Sequence, residues 1–222
     1  MFPGFFSIKA AKEANDCRGV VNAMREGASN ADVAKEGCRT LRNLSNNDAN
    51  NRKRIGEAGG IAMILSVMEV HGASSAEVAE NGCGALMSLA ANNADNKKRI
   101  AEAGGIEMIL SMMEVHGASN AGVAEKGCWA LFNLSFNADI KKSIGEKGGI
   151  SLILRMMEKH GASKAEIAKH GCAALWSLAV NADNKRKILA ANGVSMVERM
   201  LSKWNWKEVV KKHAEGALRK LR

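Results

Sequence analysis

Tyrosine is absent from this 222-residue chain, proline occurs once (Pro3), and aromatic residues make up only 4%. With a hydrophobic content of 46%, the core must therefore be built from Ile, Leu, Met, Ala and Cys. The single proline and the lack of alternating β-branched runs argue for an all-helical protein. No uninterrupted apolar run approaches the roughly 18 residues of a membrane span. The opening MFPGFF is apolar, but it lacks a charged n-region and is too short for a signal peptide. No C-x-x-C occurs, which argues against a zinc site. There is no G-x-S-x-G, no P-loop, no H-E-x-x-H and no cysteine with a suitable local histidine. No catalytic residue, metal ligand or cofactor is expected.

What is present is self-similarity. GCWALFNLSFN from Gly127 has near-copies in GCRTLRNLSNN from Gly37, GCGALMSLAAN from Gly82 and GCAALWSLAVN from Gly171. Their cysteines, Cys38, Cys83, Cys128 and Cys172, are 45, 45 and 44 residues apart. A period of this length indicates stacked repeats, an array rather than one closed globule. Equivalent cysteines in successive repeats read as small buried thiols. Free thiols suit a reducing compartment, so a cytoplasmic or nuclear protein is expected.

The repeats fall at about 1–46 (partial), 47–91, 92–136, 137–180 and 181–222, as one domain. Residues Met1 to Asn15 match poorly and read as an irregular cap or degenerate first helix. In the second repeat, Asp48 or Asn50 can cap a short helix, Asn51 to Ala58. Gly59-Gly60 ends it. A second helix runs from about Ile61 to Val70, with Ile61, Ile64, Leu65 and Met68 forming one apolar stripe. His71-Gly72-Ala73-Ser74 makes the turn. Ser74 or Ser75 can cap a third helix, about Ala76 to Ala90, with Val78, Ala79, Gly82, Cys83, Leu86 and Leu89 inward. His71, His116 and His160 recur in this turn, where a structural hydrogen bond is expected. In the last repeat Trp204-Asn205-Trp206 replaces the turn, as a closing cap or a docking element.

This three-helix grammar resembles the armadillo repeat over roughly Val20 to Leu221. It is carried by N-x-x-x-I-x-E-x-G-G-I from Asn96 to Ile106 and by the third-helix G-C-x-A-L-x-N/S-L. The proline common after the glycine in that family is replaced here by Met63, Met108 and Leu152. The resemblance implies an all-α, right-handed superhelix of about five repeats with degenerate terminal caps. It also implies a concave groove, lined by the third helices, that binds an extended peptide. In importin-α-like members a Trp and an Asn four residues later form the peptide ladder, and Trp129 and Asn133 match that spacing. Positions i and i+4 share a helix face; an indole offers a wall and an amide offers both donor and acceptor.

The equivalent pairs are Arg39/Asn43, Gly84/Ser88 and Ala173/Ser177, so the ladder is half present. Met87, Phe132, Phe136 and Trp176 lie around it, with Phe132 and Trp176 equally suited to packing between repeats. Arg39 and Arg42 favour acidic ligand side chains. Helix spacing of ~8–10 Å against a strand rise of ~3.3 Å gives room for a segment of about ten residues.

Charge suggests the alternative. Of the nine net positive charges, six lie in residues 199–222. Basic clusters recur on the first helices: Arg52, Lys53 and Arg54; Lys97, Lys98 and Arg99; Lys141 and Lys142; Lys185, Arg186 and Lys187. Stacked, they form a ridge that reads as a solvated edge or as a track for acidic protein, nucleic acid or phospholipid headgroups. Glu57, Glu102 and Glu146 on the same helices, and the lack of interleaved aromatics, disfavour nucleic acid. A scaffold or engineered repeat protein with no evolved ligand, and a homodimer through the solenoid ends, complete the set.

Overall fold

The computed structural model describes residues 3–222, with side chains from residue 7 onward. Met1, Phe2 and the side chains of the apolar MFPGFF opening lie outside the described residues. Among the described residues there are fifteen α-helices and no strand. Two compact halves divide at Met112/Met113, within α8 (Gly105–His116).

The first half begins with α1 (Pro3–Glu13), a regular helix where a cap or degenerate helix was expected, packed on α2 (Cys17–Glu26) and α3 (Ala31–Ser45). Then come α4 (Ala49–Glu57), α5 (Gly60–His71), α6 (Ala76–Ala90) and α7 (Ala94–Glu102). The local chemistry sets each boundary. Asp48 accepts the Asn51 N–H and starts α4. Ser75 accepts the Val78 N–H and starts α6. Gly59 at φ +80° takes the left-handed conformation between α4 and α5, where a side chain would be strained. The expected stripe of α5 is buried, and Met63 and Val67 are buried with it, because the helix is covered on two sides.

In the second half are α9 (Ala121–Leu134), α10 (Ala138–Glu146), α11 (Gly149–His160), α12 (Ala165–Leu178), α13 (Ala182–Ala190), α14 (Gly193–Trp204) and α15 (Glu208–Leu221). Asn137 and Asn181 cap α10 and α13 as Asp48 caps α4. Asn192 at φ +58° stands where earlier repeats carry a left-handed glycine; asparagine tolerates this region better than other side chains.

The G-C pair has a packing reason. A Cβ on Gly82 would stand 2.4 Å from the Met68 sulfur, and one on Gly127 or Gly171 would meet Met113 or Met157 at 2.5 Å. The glycine lets a second-helix methionine cross the third helix, and the following cysteine sits wholly inside. Burial pushes the thiols of Cys38, Cys83, Cys128 and Cys172 up to about 12. Since the thiolate is the reactive form, Ellman's reagent is expected to leave these four unlabelled in the native protein at pH 8. All five cysteines should react in guanidinium. Rapid native labelling of the four would contradict the packing.

The turn histidines bond as expected. His71 Nε2 lies 2.8 Å from the Ala28 carbonyl, and His160 Nε2 lies 2.8 Å from the Gly117 carbonyl. A carbonyl can only accept, so each imidazole carries its proton on Nε2. Trp204 holds the same position in the last repeat, and its indole N–H donates to the Gly161 carbonyl at 2.7 Å. The tryptophan thus replaces histidine function for function.

Candidate functional site

In the second half, the third helices α9, α12 and α15 pack side by side. Trp129 and Asn133, one turn apart on α9, are both half-buried. The indole of Trp129 stacks on the His170 ring of α12, with centroids 4.2 Å apart and planes 19° apart. Two ammonium groups lie over it: Lys126 at 5.8 Å and Lys169 at 5.6 Å from the ring centroid. Each lysine is ion-paired, Lys126 with Glu125 and Lys169 with Glu166. Trp129 is therefore a fixed wall with one face packed.

His170 is 2% exposed and neither ring nitrogen has a hydrogen-bond partner. Loss of solvation, then the nearby charges of Lys169, Lys126 and His213, lower its pKa from 6.5 to about 3. The ring is neutral at pH 7 and supports the indole.

Phe132 and Trp176 converge on a residue the sequence reading had not singled out. The His213 ring of α15 lies 6.4 Å from Phe132 and 6.3 Å from Trp176, both edge-on. A Cβ at Gly216 would come within 2.8 Å of the Trp176 ring, so that glycine admits the indole. Phe136 meets Phe132 edge-on at 5.1 Å and is 64% exposed. Ser177 donates to the Ser135 carbonyl at 3.3 Å, so its hydroxyl serves the packing of repeats.

In the first half, Arg39 is exposed and ion-paired with Glu36, and Asn43 is exposed. Arg42 is half-buried, its stem laid across α6 where a Cβ at Gly84 would come within 2.8 Å of the arginine Cδ. Met87 and Ser88 are buried, and Ser88 donates to the Arg42 carbonyl at 3.4 Å. Neither offers its side chain to a ligand on this surface. Arg39, Arg42 and Asn43 stay together on α3, as Trp129 and Asn133 do on α9.

The basic first helices are largely self-engaged. Arg52 is buried and donates to the Ser45 carbonyl at 3.0 Å. Arg99 donates to the Gly56 carbonyl at 2.8 Å and Lys187 to the Gly145 carbonyl at 2.9 Å. Each places a cation at the C-terminal end of the preceding first helix, where carbonyls and the helix dipole favour it. Lys53, Lys98 and Lys142 pair with Glu57, Glu102 and Glu146 four residues on. Arg54 donates to Asn51, and Arg186 pairs with Asp183. Lys97, Lys141 and Lys185 are half-buried. Burial lowers the pKa of Lys97; it also lowers that of Lys141, with Lys220 adding like charge.

Within each half, buried asparagines sit beside these cations. Asn96 donates from Nδ2 to the Arg52 carbonyl at 2.9 Å and to the Leu89 carbonyl at 3.1 Å. Asn184 donates to the Lys141 carbonyl at 2.8 Å, and Asn51 to the Leu44 carbonyl at 2.9 Å. The spacing Asp48/Asn51, Asn93/Asn96 and Asn181/Asn184, a cap followed three residues on by asparagine, was the available signal. Among the described residues, no group of three or more His, Cys, Asp or Glu could hold a metal ion.

No family model and no curated protein matches the sequence. The fold has clear likenesses. An engineered protein of known structure superimposes with a TM-score of 0.79 at 23% identity, over 96% of this chain and 82% of that one. A designed armadillo repeat protein in complex with the peptide (KR)4 gives 0.77 at 20% identity, over 97% and 85%. The armadillo repeats only protein from Plasmodium falciparum gives 0.77 at 15% identity, over 100% and 99%. The chain is thus an α-helical repeat protein. Its fold is an armadillo-type solenoid.

Proposed function

We propose that the chain is a non-enzymatic protein-interaction module that binds an extended peptide segment of a partner along its third helices. The observation that carries this reading is the Trp129–Asn133 pair, an indole wall clamped by His170 with an amide one turn away. Preorganisation of this kind reduces the ordering cost of binding. Phe136, in the turn just past the end of α9, adds exposed apolar surface. On α3, Arg39, Arg42 and Asn43 repeat the amide and add positive charge, which suits acidic ligand side chains. The complex of a designed armadillo protein with (KR)4 supports peptide as the ligand class, though that peptide is basic.

A phosphate or acidic track on the first-helix ridge has less support, because Arg52, Arg99 and Lys187 donate to backbone carbonyls. Screening peptide arrays and measuring the selected peptide by fluorescence polarisation tests the groove. Trp129→Ala is expected to weaken binding about tenfold and Asn133→Ala roughly fivefold, with thermal melts confirming folded protein. Unchanged affinity in both variants would remove the assignment.

A further inference from the structure

The corner between α14 and α15 carries two tryptophans, and only one is accounted for by packing. Trp204 is bonded to the Gly161 carbonyl. Trp206 touches it at 5.8 Å between centroids, yet stands 71% exposed, and Val209, three residues on, is 52% exposed. Around this tip lie Lys203 and Lys212, exposed, and Lys207 and Lys211, half-exposed. Among the described residues none of these four lysines is in an ion pair; Lys207 lies over the Trp204 ring at 5.9 Å. Glu208 is the one acid in the stretch. The nearby cavity of about 530 Å³ is lined by Glu198, Glu215, Arg219 and Arg222 among others and includes neither Trp206 nor Val209. The indole stands exposed at the corner, outside that cavity.

We infer that this corner is a docking surface for an anionic lipid bilayer. An indole partitions to the boundary between headgroups and acyl chains, with its ring in apolar surroundings and its N–H still wet. Unpaired lysines on flexible stems reach headgroup phosphates and carboxylates without demanding a fixed geometry. An acidic protein would instead have to match rigid donors in shape, and this corner presents none. Trp206 and Val209 supply apolar insertion, and Lys203, Lys207, Lys211 and Lys212 supply the charge complementarity.

The test is co-sedimentation of the full chain with phosphatidylcholine vesicles, with and without phosphatidylserine, at low and high salt. The expected result is binding only with phosphatidylserine, falling as salt rises. Trp206→Ala should reduce it about tenfold, and Lys203→Gln and Lys212→Gln roughly fivefold each. Both Trp206 and these lysines are exposed, so the melting temperature should hold. No sedimentation with anionic vesicles at low salt overturns the inference. So does undiminished binding by Trp206→Ala, which would reduce the corner to generic positive charge. Equal binding to polyglutamate that also needs Trp206 would assign the corner to an acidic protein. Self-association without vesicles that Trp206→Ala abolishes would assign it to a second copy of the chain.

Discussion

Asn96→Ala is expected to lower the stability of the first half by about 2–4 kcal/mol, read as an earlier urea midpoint. The side chain is 2% exposed and spans two backbone carbonyls of the preceding repeat, one on α4 and one at the end of α6. Truncation removes both of these donated bonds, the one to the end of α6 included. It also opens a void against Gly56, where a Cβ would stand 2.1 Å from the asparagine Oδ1. Asn96→Asp keeps the volume but not the donors, and should cost as much. Asn43→Ala, on exposed surface, should change stability by less than about 0.5 kcal/mol. A loss below about 1 kcal/mol for Asn96→Ala would mean that the carbonyls find other donors.

His170→Phe is expected to flatten the acid limb of the stability profile. The folded pKa is about 3 and that of an unfolded histidine about 6.5. Between these values the unfolded chain binds a proton that the native protein refuses. Stability is therefore complete above pH 6.5 and is lost progressively as pH falls toward 3, with a sign set by proton uptake on unfolding. At about 1.4 kcal/mol per pH unit, the full effect is on the order of 5 kcal/mol. The groups facing His170 are Glu166 and Lys169 on α12, Lys126 on α9 and His213 on α15. Phenylalanine keeps a ring against Trp129 and removes two unpartnered nitrogens, so at pH 7 it should be neutral or stabilising by about 1 kcal/mol. Denaturant melts of both proteins between pH 7 and pH 4 isolate the histidine from the carboxylates they share. Parallel profiles would show that His170 is protonated without penalty in the native state.

Much of this architecture was legible because every repeat samples one environment over and over. The period came from Cys38, Cys83, Cys128 and Cys172, and all four are buried at one helical level. Gly59 and Gly148 announced helix ends through the left-handed backbone they adopt. The recurring histidine in a tight turn points to a hydrogen bond, and His71 and His160 make one.

The arrangement around Trp129 was not legible, for a geometrical reason. Helical side chains lean toward their own N-terminus, so a residue meets its neighbouring helix one turn away from the equivalent position. Trp129 corresponds to Ala173 in alignment, yet it stacks on His170. The convergence of Phe132 and Trp176 on His213 was hidden in the same way. Met87 and Phe132 occupy the same position of their third helices, yet one is buried and the other half-buried beside His213, a difference no local pattern encodes. In three of the basic clusters the lysine paired four residues on with glutamate (Lys53, Lys98 and Lys142) could be read from spacing. The reach of Arg99 and Lys187 to a carbonyl could not, because the partner lies a whole repeat away.

The bonds described above from side chains to the backbone of the preceding repeat run one way. His71, Asn96, Arg99, His160, Asn184, Lys187 and Trp204 each donate to a carbonyl earlier in the chain. During synthesis the acceptors therefore leave the ribosome before their donors. A carbonyl awaiting its partner is served by water, so a repeat already made can wait without harm for the next to arrive. Each newcomer carries its own fastenings to a finished surface, and the molecule can be assembled in the order in which it is translated.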